Sequence, residues 1–137
     1  MELSMRYRTI LIVEDEATLR QVISRTLEAR GHVVLGAETA TDALRQLSDV
    51  KPDLLLLDIN LPDRSGWDVL RELQRRGMNV PTIVVSAVRV SPGRLAEFRP
   101  VAYLPKPFPL DALLRLVEDS QSPREESTAA WGSGEES

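Results

Sequence analysis

The sequence predicts an α/β protein: one doubly wound parallel sheet with helices on both faces, built from five β–α alternations. Three observations predict it. The run Leu54-Leu55-Leu56-Leu57, bounded by Pro52-Asp53 and Asp58, has no polar alternation. Such a run reads as a strand buried on both faces. A second run of this type, Thr9-Ile10-Leu11-Ile12-Val13, precedes a helical pattern. Apolar strands and amphipathic stripes then keep alternating to the end of the domain, the pattern of parallel sheets with right-handed crossovers.

The elements follow in order. After Thr9–Val13 come three acids, Glu14-Asp15-Glu16, and then Leu19, Val22, Ile23, Thr26 and Leu27 at the spacing of a single helical face. Gly31 is placed to stop that helix in the left-handed conformation. His32 to Leu35 reads as a short second strand. Thr39 or Thr41 can cap a second helix, with Ala40, Ala43, Leu44 and Leu47 as its buried stripe. Lys51-Pro52 breaks it before the central leucine strand. Asn60 to Gly66 is a turn-rich loop, and Trp67, Leu70 and Leu73 give a third helix closed by Gly77. Thr82-Ile83-Val84-Val85-Ser86 is a fourth strand ending in a hydroxyl. Pro92 is tolerated in a first helical turn, so Arg94 to Phe98 is expected to be a short fourth helix. Val101 to Leu104 is a short fifth strand, and Leu110, Leu113, Leu114 and Val117 mark a fifth helix.

Composition narrows the function classes. The 137 residues suffice for one domain with a substantial core, and 42% hydrophobic with 28% charged residues is ordinary for a soluble globular chain. A net charge of −4 gives no support for general nucleic-acid or bilayer binding. With no cysteine and only His32, thiolate and His-cluster metal sites are excluded. No apolar run approaches a membrane span, and Met1 to Thr9 lacks the apolar core of a signal peptide. The cytoplasm is the expected compartment. The domain is expected over residues 8–119. Residues 120–137, rich in Ser, Glu, Gly and Ala, are expected to form a disordered acidic tail.

In a parallel sheet all strand C-termini share one edge, where ligands collect. The first strand brings Glu14 and Asp15 there, the third Asp58, the fourth Ser86, and the fifth is followed by Lys106. Alone, each has a bland reading. An acidic triplet is commonly the solvated first turn of a helix, and a lone lysine or serine says little. Together they are of one chemistry. Clustered carboxylates repel one another until a cation neutralises them, and an oxygen-only donor set suits magnesium. Lys106 and Ser86 can hold phosphoryl oxygens, and Asp58 is the natural carboxylate nucleophile for an aspartyl phosphate.

These residues resemble the receiver domain of two-component response regulators, the CheY-like superfamily. The matching stretches are Ile10-Leu11-Ile12-Val13-Glu14-Asp15-Glu16, Asp53-Leu54-Leu55-Leu56-Leu57-Asp58-Ile59-Asn60-Leu61-Pro62, Val84-Val85-Ser86-Ala87 and Tyr103-Leu104-Pro105-Lys106-Pro107-Phe108. The resemblance implies a flavodoxin-like (βα)5 fold with strand order 2-1-3-4-5. It implies that Asp58 takes a phosphoryl group from the phosphohistidine of a sensor kinase or phosphotransfer protein. Glu14, Asp15, Asp58 and the backbone carbonyl of Asn60 would hold Mg2+. Lys106 would contact the phosphoryl group, with a cis bond to Pro107, and Ser86 and Tyr103 would form the switch pair. Such a chain catalyses only its own phosphorylation and dephosphorylation and is not an enzyme for an external substrate.

Some positions depart from the family pattern. Arg99-Pro100-Val101-Ala102 replaces the usual Gly-Ala-Asp-Asp, so the fourth helix lacks a glycine stop. Pro109 stands where a polar cap is common. Val88 is apolar where many members are polar, which predicts an altered phosphoryl lifetime. No DNA-binding or catalytic output domain is visible, so the expectation is a receiver acting by protein contact, alone or as part of a longer protein. One alternative is a phosphorylation-independent adaptor using the same fold. Another is a magnesium-dependent phosphatase with an aspartyl nucleophile, disfavoured by Asn60 where a second acid would serve and by the lack of a cap-sized insertion.

Overall fold

A computed structural model of the chain describes residues 8–120. The expected tail, apart from Ser120, lies outside the described residues. Five strands, β1 (Thr9–Val13), β2 (Val33–Ala37), β3 (Leu54–Asp58), β4 (Thr82–Ser86) and β5 (Ala102–Pro105), alternate with five helices. These are α1 (Ala17–Ala29), α2 (Ala40–Asp49), α3 (Gly66–Arg75), α4 (Pro92–Phe98) and α5 (Leu110–Asp119). All pairings are parallel, and the strand order is β2-β1-β3-β4-β5.

Alternate residues of each central strand point to opposite faces. Ile10, Ile12, Leu54, Leu56, Ile83 and Val85 pack with Ile23 and Leu27 of α1 and Leu113, Leu114 and Val117 of α5. Leu11, Val13, Leu55, Leu57 and Val84 pack on the opposite face with the apolar stripes of α2 and α3. Both faces of β3 and β4 are covered, and every residue of both strands is buried. An unbroken leucine run is stable only in that setting.

The stripe expected for α2, Ala40, Ala43, Leu44 and Leu47, is fully buried. Thr39, not Thr41, is its N-cap, accepting from the Asp42 N–H at 2.9 Å. Gly31 follows α1 with φ 96°, the left-handed stop expected of it. Other expectations are corrected. Val22 is 44% exposed, because α1 buries only Ile23 and Leu27. β2 extends to Ala37 through Gly36, because β1 offers it a full-length partner from Thr9↔Val33 to Val13↔Ala37. α4 begins at Pro92, not Arg94, because the Ser91 hydroxyl caps it by accepting from the Arg94 N–H at 3.2 Å. β5 lies one residue later than expected, in register with β4 from Ile83↔Ala102 to Ser86↔Pro105.

Candidate active site at the sheet edge

The carboxyl ends of β1, β3 and β4 and the segment after β5 bring the candidate residues to one edge. Asp58 is the last residue of β3 and only 4% exposed. Its Oδ1 accepts the Asn60 N–H at 2.9 Å, and its Oδ2 accepts from Lys106 Nζ at 2.8 Å. The same ammonium lies 2.9 Å from Oε1 of Glu14, itself 4% exposed. Glu14 Oε2 accepts the Glu16 N–H at 3.0 Å. Asp15 is exposed at the mouth. Carboxylate oxygens of Glu14, Asp15 and Asp58 all lie within 4.8 Å of one another.

Two buried acids share one ammonium. Burial raises the Glu14 carboxyl above its ordinary range, outweighing the opposing pull of Lys106. Burial also works against the charge on Lys106, but its hydrogen bonds to Asp58 and Glu14 prevail and hold the ammonium above its usual range. Three convergent carboxylates, all-oxygen and short of positive charge, fit a hard divalent cation.

Lys106 is held where the edge needs it. Its N–H donates to the Ser86 carbonyl at 2.8 Å, and its bond to Pro107 is cis, as the resemblance implied. Helix α5 starts after Pro109 without a side-chain cap. The close approach of α3 to the edge depends on Gly66, where a Cβ would stand 2.5 Å from the Asp58 carbonyl oxygen.

Ser86 reaches the edge, but its hydroxyl is engaged elsewhere. Oγ donates to the Val88 carbonyl at 2.8 Å and accepts the Val88 N–H at 3.1 Å. The Tyr103 hydroxyl donates to the same Val88 carbonyl at 3.4 Å. The two residues read as a switch pair therefore share one acceptor, and the Val88 side chain is 56% exposed beside them.

Two further side chains brace the loops and were not singled out as site residues in the sequence. Arg20 of α1 donates to the Glu14 carbonyl at 2.6 Å and lies 3.6 Å from the Glu38 carboxylate. Asp63, which reads as an ordinary turn residue, accepts the N–H groups of Ala40 and Thr41 at 2.9 Å each and the Thr41 hydroxyl at 2.7 Å. Desolvation opposes the charge on Asp63, but these donors outweigh it and hold its carboxyl well below the usual range. No local pattern reveals the Asp63 brace, since it meets partners 22 and 23 residues away.

A family profile described as the response regulator receiver domain matches residues 10–118. The chain belongs to that family. It is 36% identical over 107 residues to response regulator MprA of Mycobacterium ulcerans, spanning 77% of this chain and 46% of the relative. It is 40% identical over 106 residues to the KDP operon transcriptional regulatory protein KdpE of Escherichia coli, spanning 76% of this chain and 47% of that protein. The chain thus spans less than half the length of these relatives. Among solved structures, the non-phosphorylated HemR receiver domain from Leptospira biflexa superposes with a TM-score of 0.77 at 29% identity, covering 84% of this chain and 94% of that one. The response regulator TrrA from Thermotoga maritima, solved in complex with Mg(2+)-BeF, gives a TM-score of 0.73 at 27% identity, covering 82% and 98%. The flavodoxin-like receiver fold expected from the sequence is the fold observed. Among the described residues, no helix is long and apolar enough to cross a membrane.

Proposed function

We propose that this receiver domain takes a phosphoryl group onto Asp58 from the phosphohistidine of a sensor kinase or phosphotransfer protein, and that the aspartyl phosphate switches its protein contacts. The observation that carries the reading is the Lys106 ammonium placed against both Asp58 and Glu14. In the transfer, one Asp58 carboxylate oxygen attacks phosphorus. The P–N bond breaks as the P–O bond forms, and the electron pair returns to the histidine ring. Lys106 supplies a fixed positive charge for the phosphoryl oxygens. Glu14, Asp15, Asp58 and the Asn60 carbonyl would hold Mg2+, which when bound offsets the negative charge of the acids and the incoming phosphoryl group.

Ser86 must exchange its bond to the Val88 carbonyl for one to the phosphoryl group. That exchange leaves the Tyr103 hydroxyl as partner of the same carbonyl, and so links the chemistry to the β4–α4 loop. The exposed Val88 side chain adjoins this path. Val88→Glu is expected to change the dephosphorylation rate at constant Mg2+.

Acetyl phosphate, with and without Mg2+, tests the reading by intact mass of the wild type and Asp58→Ala. A single adduct that requires both Mg2+ and Asp58 supports it. No adduct from acetyl phosphate or from a phosphorylated sensor kinase overturns it in favour of a constitutive adaptor.

A further inference from the structure

The segment Asn60–Ser65 joins the end of β3 to the start of α3. Its base is closed by the Asn60 N–H on Asp58, by the Asn60↔Ser65 bridge and by the Gly66 N–H on the Ile59 carbonyl at 2.7 Å. Its tip is tied outside the segment. The Asp63 carboxylate reaches α2, where it takes the N–H groups of Ala40 and Thr41 and the Thr41 hydroxyl. The first turn of a helix has backbone donors with no partner inside the helix. Thr39 meets one of these, the Asp42 N–H, while Asp63 meets those of Ala40 and Thr41. The helix end and the loop tip thus satisfy each other, and the acid suits the positive end of the helix dipole.

We propose that Asp63 is a positioning residue for the phosphoryl and metal site: by clasping the N-terminus of α2 it holds the segment that presents the Asn60 carbonyl beside Asp58. This rests on the reading of that site given above. Partners behind a metal ligand commonly set its affinity by holding the ligand in place. Asp63 acts three residues along the chain from Asn60 and touches neither phosphoryl group nor metal.

Thr39→Ala provides the matched control. It removes a donor partner from the same helix end but leaves the loop clasp intact. Mg2+ affinity by calorimetry and amide exchange of residues 60–65 without Mg2+ are measured for wild type, Asp63→Ala, Asp63→Asn and Thr39→Ala. Asp63→Ala is expected to weaken Mg2+ binding by about tenfold, the lower end of such effects, and to speed exchange in the segment. Asp63→Asn keeps one acceptor oxygen and is expected to fall between. Thr39→Ala is expected to match wild type in both readouts. Asp63→Ala indistinguishable from Thr39→Ala in both, with wild type binding Mg2+, overturns the positioning role alone. Wild type that fails to bind Mg2+ overturns the site reading and the positioning role with it.

Discussion

The two sides of the sheet edge are built differently. On the β1–β3 side, loops are fastened by charged side chains crossing to other elements: Arg20 to the Glu14 carbonyl, Asp63 to α2 and Lys106 to two acids. On the β4–β5 side, α4 has seven residues and buries none of them fully. It rests on α3 through Phe98 stacked on Trp67 at 5.3 Å, with Arg71 over Phe98 and Arg94 over Trp67. Glu97 bridges Arg71 and Arg94 at 3.3 and 3.7 Å, through exposed groups that contribute little. A site that must hold reacting atoms needs fixed geometry, whereas a face that changes shape must come from the less stable part of a fold. The difference between the two sides matches that division.

Lys106→Met strikes the fastened side hardest. Phosphoryl uptake at fixed Mg2+ is expected to fall by roughly 10²-fold, the scale for losing one electrostatic partner of a transition state. Without metal the fold is expected to lose on the order of 1–3 kcal/mol by urea unfolding, less than for a fully buried pair because Lys106 is 21% exposed. Amide exchange within α4 should stay as in wild type. Faster exchange there would show that the two sides are one cooperative unit.

Phe98→Ala makes the converse cut. Loss of the stacked ring is expected to cost about 1–2 kcal/mol and to speed amide exchange in α4. Uptake of phosphoryl groups from acetyl phosphate should keep its wild-type rate. A rate that falls with α4 would break the comparison, since the site would then depend on the helix.

Arg99→Gly sharpens the comparison. Arg99 ends α4 with φ 50°, doing for α4 what Gly31 does for α1, at the position where the sequence lacks a glycine. An L side chain in that region costs energy that glycine avoids. The substitution is expected to stabilise the domain by about 0.5–1 kcal/mol after glycine's greater unfolded-state entropy is counted. A destabilised variant would show that the Arg99 side chain contributes contacts worth more than the backbone strain.

What was legible in the sequence follows the same divide. The leucine run of β3, the stripe of α2 and the order of Glu14, Asp15, Asp58, Ser86 and Lys106 depend on local periodicity and chain order, and all were readable. The start of α4 was misplaced because the Ser91 cap competes with a Pro-Gly breaker pair, and helix starts turn on such single bonds. The clasp of Asp63 was invisible because its partners lie 22 and 23 residues away, and that of Arg20 because it ends on a backbone carbonyl, which carries no sequence signal. The engagement of Ser86 with Val88 was also hidden: a hydroxyl rotates freely among nearby acceptors, and the turn after β4 that brings the Val88 carbonyl back to Ser86 has no periodic signal.

The smallest expected effect lies away from the edge, at His32. Burial, with Arg8 and then Arg30 nearby, lowers its pKa below the ordinary 6.5, against a weaker opposing pull from Glu118. Its Nδ1 accepts the Arg8 N–H at 3.2 Å, a role open only to the neutral ring. For a base with a depressed native pKa, the unfolded chain binds more protons just below pH 6.5, so stability rises with pH through that window and falls on acidification. His32→Gln removes the titration. Thermal unfolding from about pH 7.5 down to about pH 5 should show a shallower loss of stability in the variant, with the curves parallel above pH 7. Equal slopes throughout would show that the buried imidazole does not govern the mild-acid sensitivity of this domain.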